Sequence, residues 1–185
     1  MIRRAVVLAI CFVAFAGLEA QSQNPPPELT GYRMEDYRAP TPATHAGARV
    51  VRTAEAEQLW KAGAAFVDVL PDVPRPASLP AGTIWREKTR MNIPGSIWLP
   101  ETGYGTLAAE FERYLRSGLE RITNGDHARW LVIYCRRDCW MSWNAAKRAL
   151  MMGYANVAWY PEGTEGWEAA GLPMQEAKPA PADAE

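Results

Sequence analysis

Apolar and polar positions along the middle of this chain follow two alternating rhythms. "AAFVDV", Ala64 to Val69, is a short apolar run between Gly63 and Pro71 and predicts a buried strand. The preceding "TAEAEQLWKAG" predicts a helix with Thr53 as its N-cap and Gly63 as its stop. "GSIWLP" is a second strand candidate. "LAAEFERYLRSGLERIT" then sets Leu107, Phe111, Tyr114, Leu115, Leu119 and Ile122 at helical spacing. "WLVIYC", Trp130 to Cys135, is rich in β-branched residues and predicts a central strand. After a short loop, "WNAAKRALMMGY" predicts a helix closed by Gly153, and "ANVAWY" a further strand.

Strands separated by helices of this length imply right-handed crossovers and a mostly parallel sheet. The expected fold is therefore an α/β domain with helices flanking a central sheet, and Cys135 stands at the carboxyl end of the central strand. Open sheets of this kind bind ligands at that edge. A loop running from a strand into a helix points several backbone N–H groups at one place, and the helix adds its positive end. A cysteine there is more acidic than a free thiol. Arg136 and Arg137 strengthen that expectation and Asp138 opposes it.

The ends of the chain differ from its middle. Met1 to Arg4 is basic, Ala5 to Leu18 is almost wholly apolar, and Leu18-Glu19-Ala20 precedes Gln21 like a cleavage site. Residues 1–20 read as a secretory signal peptide, which would carry Cys11 away and leave no membrane span. The expected compartment is the periplasm. Residues 21–47 form a Pro-rich leader, with Tyr32 and Tyr37 as its docking candidates, and residues 176–185 read as a disordered tail. Residues 48–175 remain as one domain. A formal net charge of −1 gives no electrostatic case for nucleic acid or an anionic membrane, so the partner is a small molecule or a protein.

Cys135 and Cys139, with three residues between them, leave four chemistries open: a nucleophile with a helper, a disulfide, a metal grip, or two buried small residues. An oxidising compartment permits the disulfide. A zinc site would want about four ligands in paired spacing, which two cysteines with the distant His45 and His127 do not supply. Both histidines are expected at the surface, and no metal is expected. Haem attachment is disfavoured because Trp140, not a histidine, follows Cys139.

In order and spacing these segments resemble the rhodanese-like sulfurtransferase domain over roughly Arg49 to Gln175. "FVDVLP" is similar to that family's strand ending in an aspartate, Asp68 here. "NIPGSIWLP" is similar to its "G-H-I-P-G-A" segment with Asn92 where the histidine stands. "VIYC", followed by a loop and a helix with Ala145 and Ala146, is similar to its active-site loop. "GYANVAWYPEGTEGWEAAGLP" is similar to its C-terminal segment. The resemblance implies a rhodanese-like three-layer domain and a sulfurtransferase with a persulfide on Cys135, with Cys139 beside it and Asp68 as a supporting hydrogen-bond acceptor.

The loop departs from that family in its bulk, through Arg136, Arg137, Trp140 and Met141, with Ser142 about one residue late. The Cys-Trp ending, the signal peptide and the long insertion resemble a narrower group: periplasmic proteins associated with pyrroloquinoline quinone-dependent alcohol catabolism and named for a CxxCW motif. This narrower resemblance implies a small sulfur-containing or redox-active substrate. It also implies contact with pyrroloquinoline quinone and a periplasmic dehydrogenase partner, although no cofactor is required for the thiol chemistry. The alternative is a non-catalytic module that binds a cofactor or partner on the same scaffold.

Bland readings stand beside these. Cys135 and Cys139 could be a buried thiol and a small structural disulfide, Asp68 a strand-end cap, and Trp140 and Trp143 ordinary packing. Residues 71–91 hold four prolines. They are expected to form a flap near Cys135 that turns Arg75, Arg86 or Arg90, with Trp85, toward an anionic ligand.

Overall fold

The computed structural model describes residues 24–72, 78–80, 82–84 and 89–182. The first element is β1 (Arg49–Val50), followed by α1 (Thr53–Lys61), β2 (Ala65–Asp68), β3 (Arg90–Asn92) and β4 (Ile97–Trp98). Next come α2 (Ala109–Thr123), β5 (Leu131–Tyr134), α3 (Trp140–Met151), β6 (Val157–Tyr160), α4 (Gly163–Ala169) and β7 (Gln175–Ala177). Five strands make a parallel sheet in the order β1-β6-β5-β2-β4, and β3 pairs antiparallel with β7. The expected α/β fold, a mostly parallel sheet between helical layers, is the fold of this chain.

Two cores follow from the period of two along each strand. Ala65, Val67, Leu131, Ile133, Val157 and Trp159 share one apolar cluster with Leu115 and Leu119 of α2 and Ala145, Ala146 and Ala149 of α3. Phe66, Val132, Tyr134, Ala158 and Tyr160 share the other with Ala56 of α1 and Trp167 of α4. Every residue of β2, β5 and β6 is buried, because helices cover both faces of the sheet. No helix among the described residues is long and apolar enough to cross a membrane.

Several boundaries differ from expectation. Arg52, not Thr53, is the N-cap of α1. The Thr53 N–H and hydroxyl instead donate to Glu162, at 2.9 and 2.6 Å, so a carboxylate 109 residues away satisfies this helix start. Helix α3 starts at Trp140, three residues before the expected Trp143. Trp140, Met141 and Ser142 therefore form its first turn and are buried rather than lining a loop. Their apolar bulk is absorbed by the core between α3 and the sheet.

Residues 176–182, expected to be loose, are docked. β7 pairs with β3, the Ala180 N–H donates to the Trp98 carbonyl at 2.8 Å, and the Tyr114 hydroxyl donates to the Ala180 carbonyl at 2.7 Å. Backbone hydrogen bonding supplies what the side chains of this tail lack. The leader is docked too, along α3. Arg148 lies over the Tyr32 ring at 4.1 Å, and the Tyr37 hydroxyl accepts from the Gly105 N–H at 3.1 Å. The expected signal peptide with Cys11, and Arg75, Trp85 and Arg86 of the expected flap, lie outside the described residues.

Candidate functional site

Strand β5 ends at Tyr134 and α3 begins at Trp140, so Cys135 to Cys139 is a tight connection. Cys135 and Cys139 are joined by a disulfide, with Cα atoms 6.4 Å apart. Asp138 completes the turn at φ 52°, a left-handed conformation that aspartate tolerates better than most residues. Cys139 is the N-cap of α3, so the positive end of the helix acts most directly on its sulfur. Cys135 continues β5, and by alternation its side chain enters the core on the α3 face. Their exposures are 0% and 2%.

Neighbouring elements fix this loop. The Thr164 N–H donates to the Cys135 carbonyl at 3.2 Å, and Arg136 bridges to Gly163. Gly163 has φ 53°, and a Cβ there would lie 2.7 Å from both the Arg136 Cα and the Cys135 carbonyl oxygen. Only glycine permits that approach. Glu165 on α4 then clamps the loop, accepting from Arg136 Nε at 2.7 Å and from the Arg137 N–H at 2.9 Å. Burial pushes the Glu165 carboxyl up, but the Arg137 N–H and the Arg136 guanidinium outweigh it and hold the group below its ordinary value. Sequence reasoning missed Glu165. Its signal was a carboxylate shortly after the last central strand, facing two loop arginines.

The leader covers what remains. The Trp140 N–H donates to the Tyr37 carbonyl at 2.9 Å and its indole to the Pro40 carbonyl at 3.0 Å, while Arg38 donates to the Arg137 carbonyl at 2.9 Å. Ser142 donates to the Cys139 carbonyl and accepts from the Trp159 indole, both at 3.0 Å. Trp143 is fully buried. His45, expected at the surface, is buried with its ring 4.8 Å from that of Trp143. Its two nitrogens face the Trp143 and Ala46 carbonyls at 3.0 and 3.1 Å. Burial outweighs these bonds and lowers its pKa. His127 is exposed and stacks on Tyr154.

Asp68 is on the other face. It stands opposite Tyr134 in the β2–β5 register, but alternation sends its side chain away from Cys135. Asp68 accepts from Arg90 Nε at 2.7 Å and from the Leu70 N–H at 2.9 Å. Arg90, expected to face an anionic ligand, thus faces this internal carboxylate. Burial outweighs both partners and pushes the Asp68 carboxyl up to about 6. Burial, with Asp68 nearby, also raises the Tyr134 hydroxyl well above its ordinary value. Among the described residues no cluster of three His, Cys, Asp or Glu is placed to hold a metal ion.

The arrangement brings together a strand-end cysteine, a helix-capping cysteine, two loop arginines and a carboxylate clamp. Solved structures similar to the chain include a thiosulfate sulfurtransferase from Pseudomonas aeruginosa, at 20% identity and a TM-score of 0.49, with 75% of this chain and 22% of that one covered. The chain thus spans about a fifth of that protein's length. Another is the polysulfide-sulfur transferase homodimer of Wolinella succinogenes, at 15% identity and a TM-score of 0.46, with 71% of this chain and 81% of that one covered. A comparison with curated proteins gives no match. The model of the rhodanese-like domain matches residues 53–170, more than half of the chain and all of it from α1 through α4, and the chain therefore belongs to the rhodanese-like domain family.

Proposed function

We propose that this protein carries out thiol-based sulfur transfer at Cys135 in the periplasm, with Cys139 resolving the loaded sulfur. The observation that carries this reading is the Cys135–Cys139 disulfide, which joins the end of β5 to the N-cap of α3. In the reduced protein the Cys135 thiolate attacks the outer sulfur of a sulfane donor such as thiosulfate or a polysulfide. A new S–S bond forms at Cys135, the donor's S–S bond breaks, and the bonding pair leaves with the rest of the donor. The persulfide then has two exits. A nucleophilic acceptor takes the terminal sulfur and returns the thiolate. In the other, the Cys139 thiolate attacks the Cys135 Sγ and expels hydrosulfide, giving the disulfide, so the sulfane sulfur gains the two electrons that the dithiol loses.

The helix start favours the Cys139 thiolate, so Cys139 is the better leaving group when an incoming thiol reopens the disulfide at Cys135. The signal-peptide pattern supports the periplasm. The Cys-Trp pair and the insertion support a role beside quinone-dependent alcohol catabolism, with a dehydrogenase as partner. The test is the intact mass of the reduced protein after incubation with thiosulfate or polysulfide. A gain of one sulfur atom is expected, and is lost in Cys135→Ser. No gain with any of several donors removes the reading.

A second reading has its own support. Both sulfurs are buried in a core shared with Trp140, Trp143 and Trp159, which suits a structural staple in a non-catalytic module. That module would bind pyrroloquinoline quinone or a partner with no reaction at the cysteines. Saturable quenching of tryptophan fluorescence by the quinone, unchanged in Cys135→Ser, is its expected signature. A titration without saturation rejects quinone binding.

A further inference from the structure

We infer that the leader is an autoinhibitory strap, and that the cysteine pair reacts only when residues 31–40 lift from α3. The inference builds on the reading of Cys135 as a reacting thiol and concerns how a reagent reaches it. The strap descends α3. Lys147 donates to the Gly31 carbonyl at 3.3 Å; Asn144 accepts from the Arg33 N–H and donates to the Arg33 carbonyl, both at 2.9 Å. At the bottom, the Tyr37 carbonyl takes the Trp140 N–H and Arg38 takes the Arg137 carbonyl.

These contacts use the groups that a sulfur anion would need. The N–H at the start of α3 is given to the Tyr37 carbonyl, and the Arg137 N–H is given to the Glu165 carboxylate. The cradle is filled from within, and both sulfurs are sealed. No attack on Cys135 is geometrically open while this arrangement holds.

The strap is nevertheless built to leave. It contains no helix or strand and lies outside the residues matched by the family model. Its hold combines hydrogen bonds, each with a small net effect, with ring contacts of Tyr32, Arg33 and Tyr37 and the half-buried packing of Tyr37 and Ala39 on the core. Met34 and Asp36 are exposed, and the strap leaves an open cavity of about 270 Å³ over Trp140, bordered by Pro26, Arg33, Ala39 and Pro40. None of residues 31–40 is fully buried, whereas the central strands are, so the strap opens locally at lower cost than the sheet beneath it.

The test uses the chain in its disulfide form, reduced by a water-soluble phosphine, with the new thiols trapped by alkylation and counted by mass. The double variant Tyr37→Ala/Arg38→Ala removes the ring and guanidinium anchors and leaves both cysteines. Reduction should be about tenfold faster than in the unsubstituted chain, with the far-UV spectrum preserved. Leu59→Ala, on the opposite face of the sheet, serves as the control for general loosening and should stay within about twofold. An unchanged rate in the strap variant, or equal acceleration in Leu59→Ala, overturns the strap. Faster reduction in the strap variant alone supports it even when no persulfide forms on the reduced protein, which separates this inference from the reaction proposed above.

Discussion

Arg90 reaches from β3 to place its Nε 2.7 Å from an oxygen of Asp68, and this ion pair lies at the carboxyl end of the sheet with Asp68 fully buried. The folded carboxyl, at about 6, lies above its ordinary 3.8, so the folded state holds the proton longer than the unfolded chain. Stability from this group is fully present below about pH 4 and is lost as pH rises through about 6, on the order of 3 kcal/mol in all. Asp68→Asn should flatten that slope. Urea unfolding at pH 4 and pH 7 in both proteins measures it. Arg90→Ala should cost about 3–5 kcal/mol at pH 7, where Asp68 is left buried without its partner and must take up a proton.

Reduction of the disulfide should leave the domain folded. The closed loop spans only Cys135 to Cys139, so its contribution through the unfolded chain is about 2 kcal/mol. The two cores remain when the bond is cut. A melting temperature lower by several degrees, with the helical signal intact, is the expected result in excess reductant.

Cys139→Ser should prolong the persulfide on Cys135 by about tenfold or more, because no thiol in the loop can expel hydrosulfide. Cys135→Ser should form none. Time-resolved intact mass after removal of the donor gives both lifetimes. Equal lifetimes in Cys139→Ser and the unsubstituted protein would falsify the resolving role.

Gly163→Ala should destabilise the protein by about 3 kcal/mol, since it combines a left-handed backbone with a close approach to the cysteine loop. Its effect should extend to the site. Hydrogen exchange at residues 136–139 should quicken as the Arg136–Gly163 bridge loosens, whereas Gly63→Ala, with open space around its Cβ, should leave that exchange unchanged.

The central strands were legible because their burial is written in side chains. Leu131 to Tyr134 is an unbroken apolar run, and α2 shows its face through Leu115 and Leu119. The start of α3 was not. Cys139 is an unusual N-cap, and the Trp140-Met141-Ser142-Trp143 run offers neither a breaker nor a polar stripe. The docked leader and tail were hidden for another reason. Their anchors include the carbonyls of Tyr37 and Pro40 and the N–H of Ala180, groups that every sequence possesses. The Asp68–Arg90 pair joins positions 22 apart across the insertion, a distance over which no local pattern speaks.

The tail's course beside Trp98 bears on how molecules of this protein meet one another. β4 is an edge of the sheet, and an uncovered edge is a template for another chain. Pro179 bridges to Trp98, Ala180 fills its carbonyl, and Pro181 follows with no N–H to offer. The outermost layer beside this edge is thus a strip with two of three amide donors removed, a surface on which a neighbouring strand finds little to pair with. Residues 179–181 thereby cover from within the same molecule the backbone groups that β4 would otherwise offer to a neighbour.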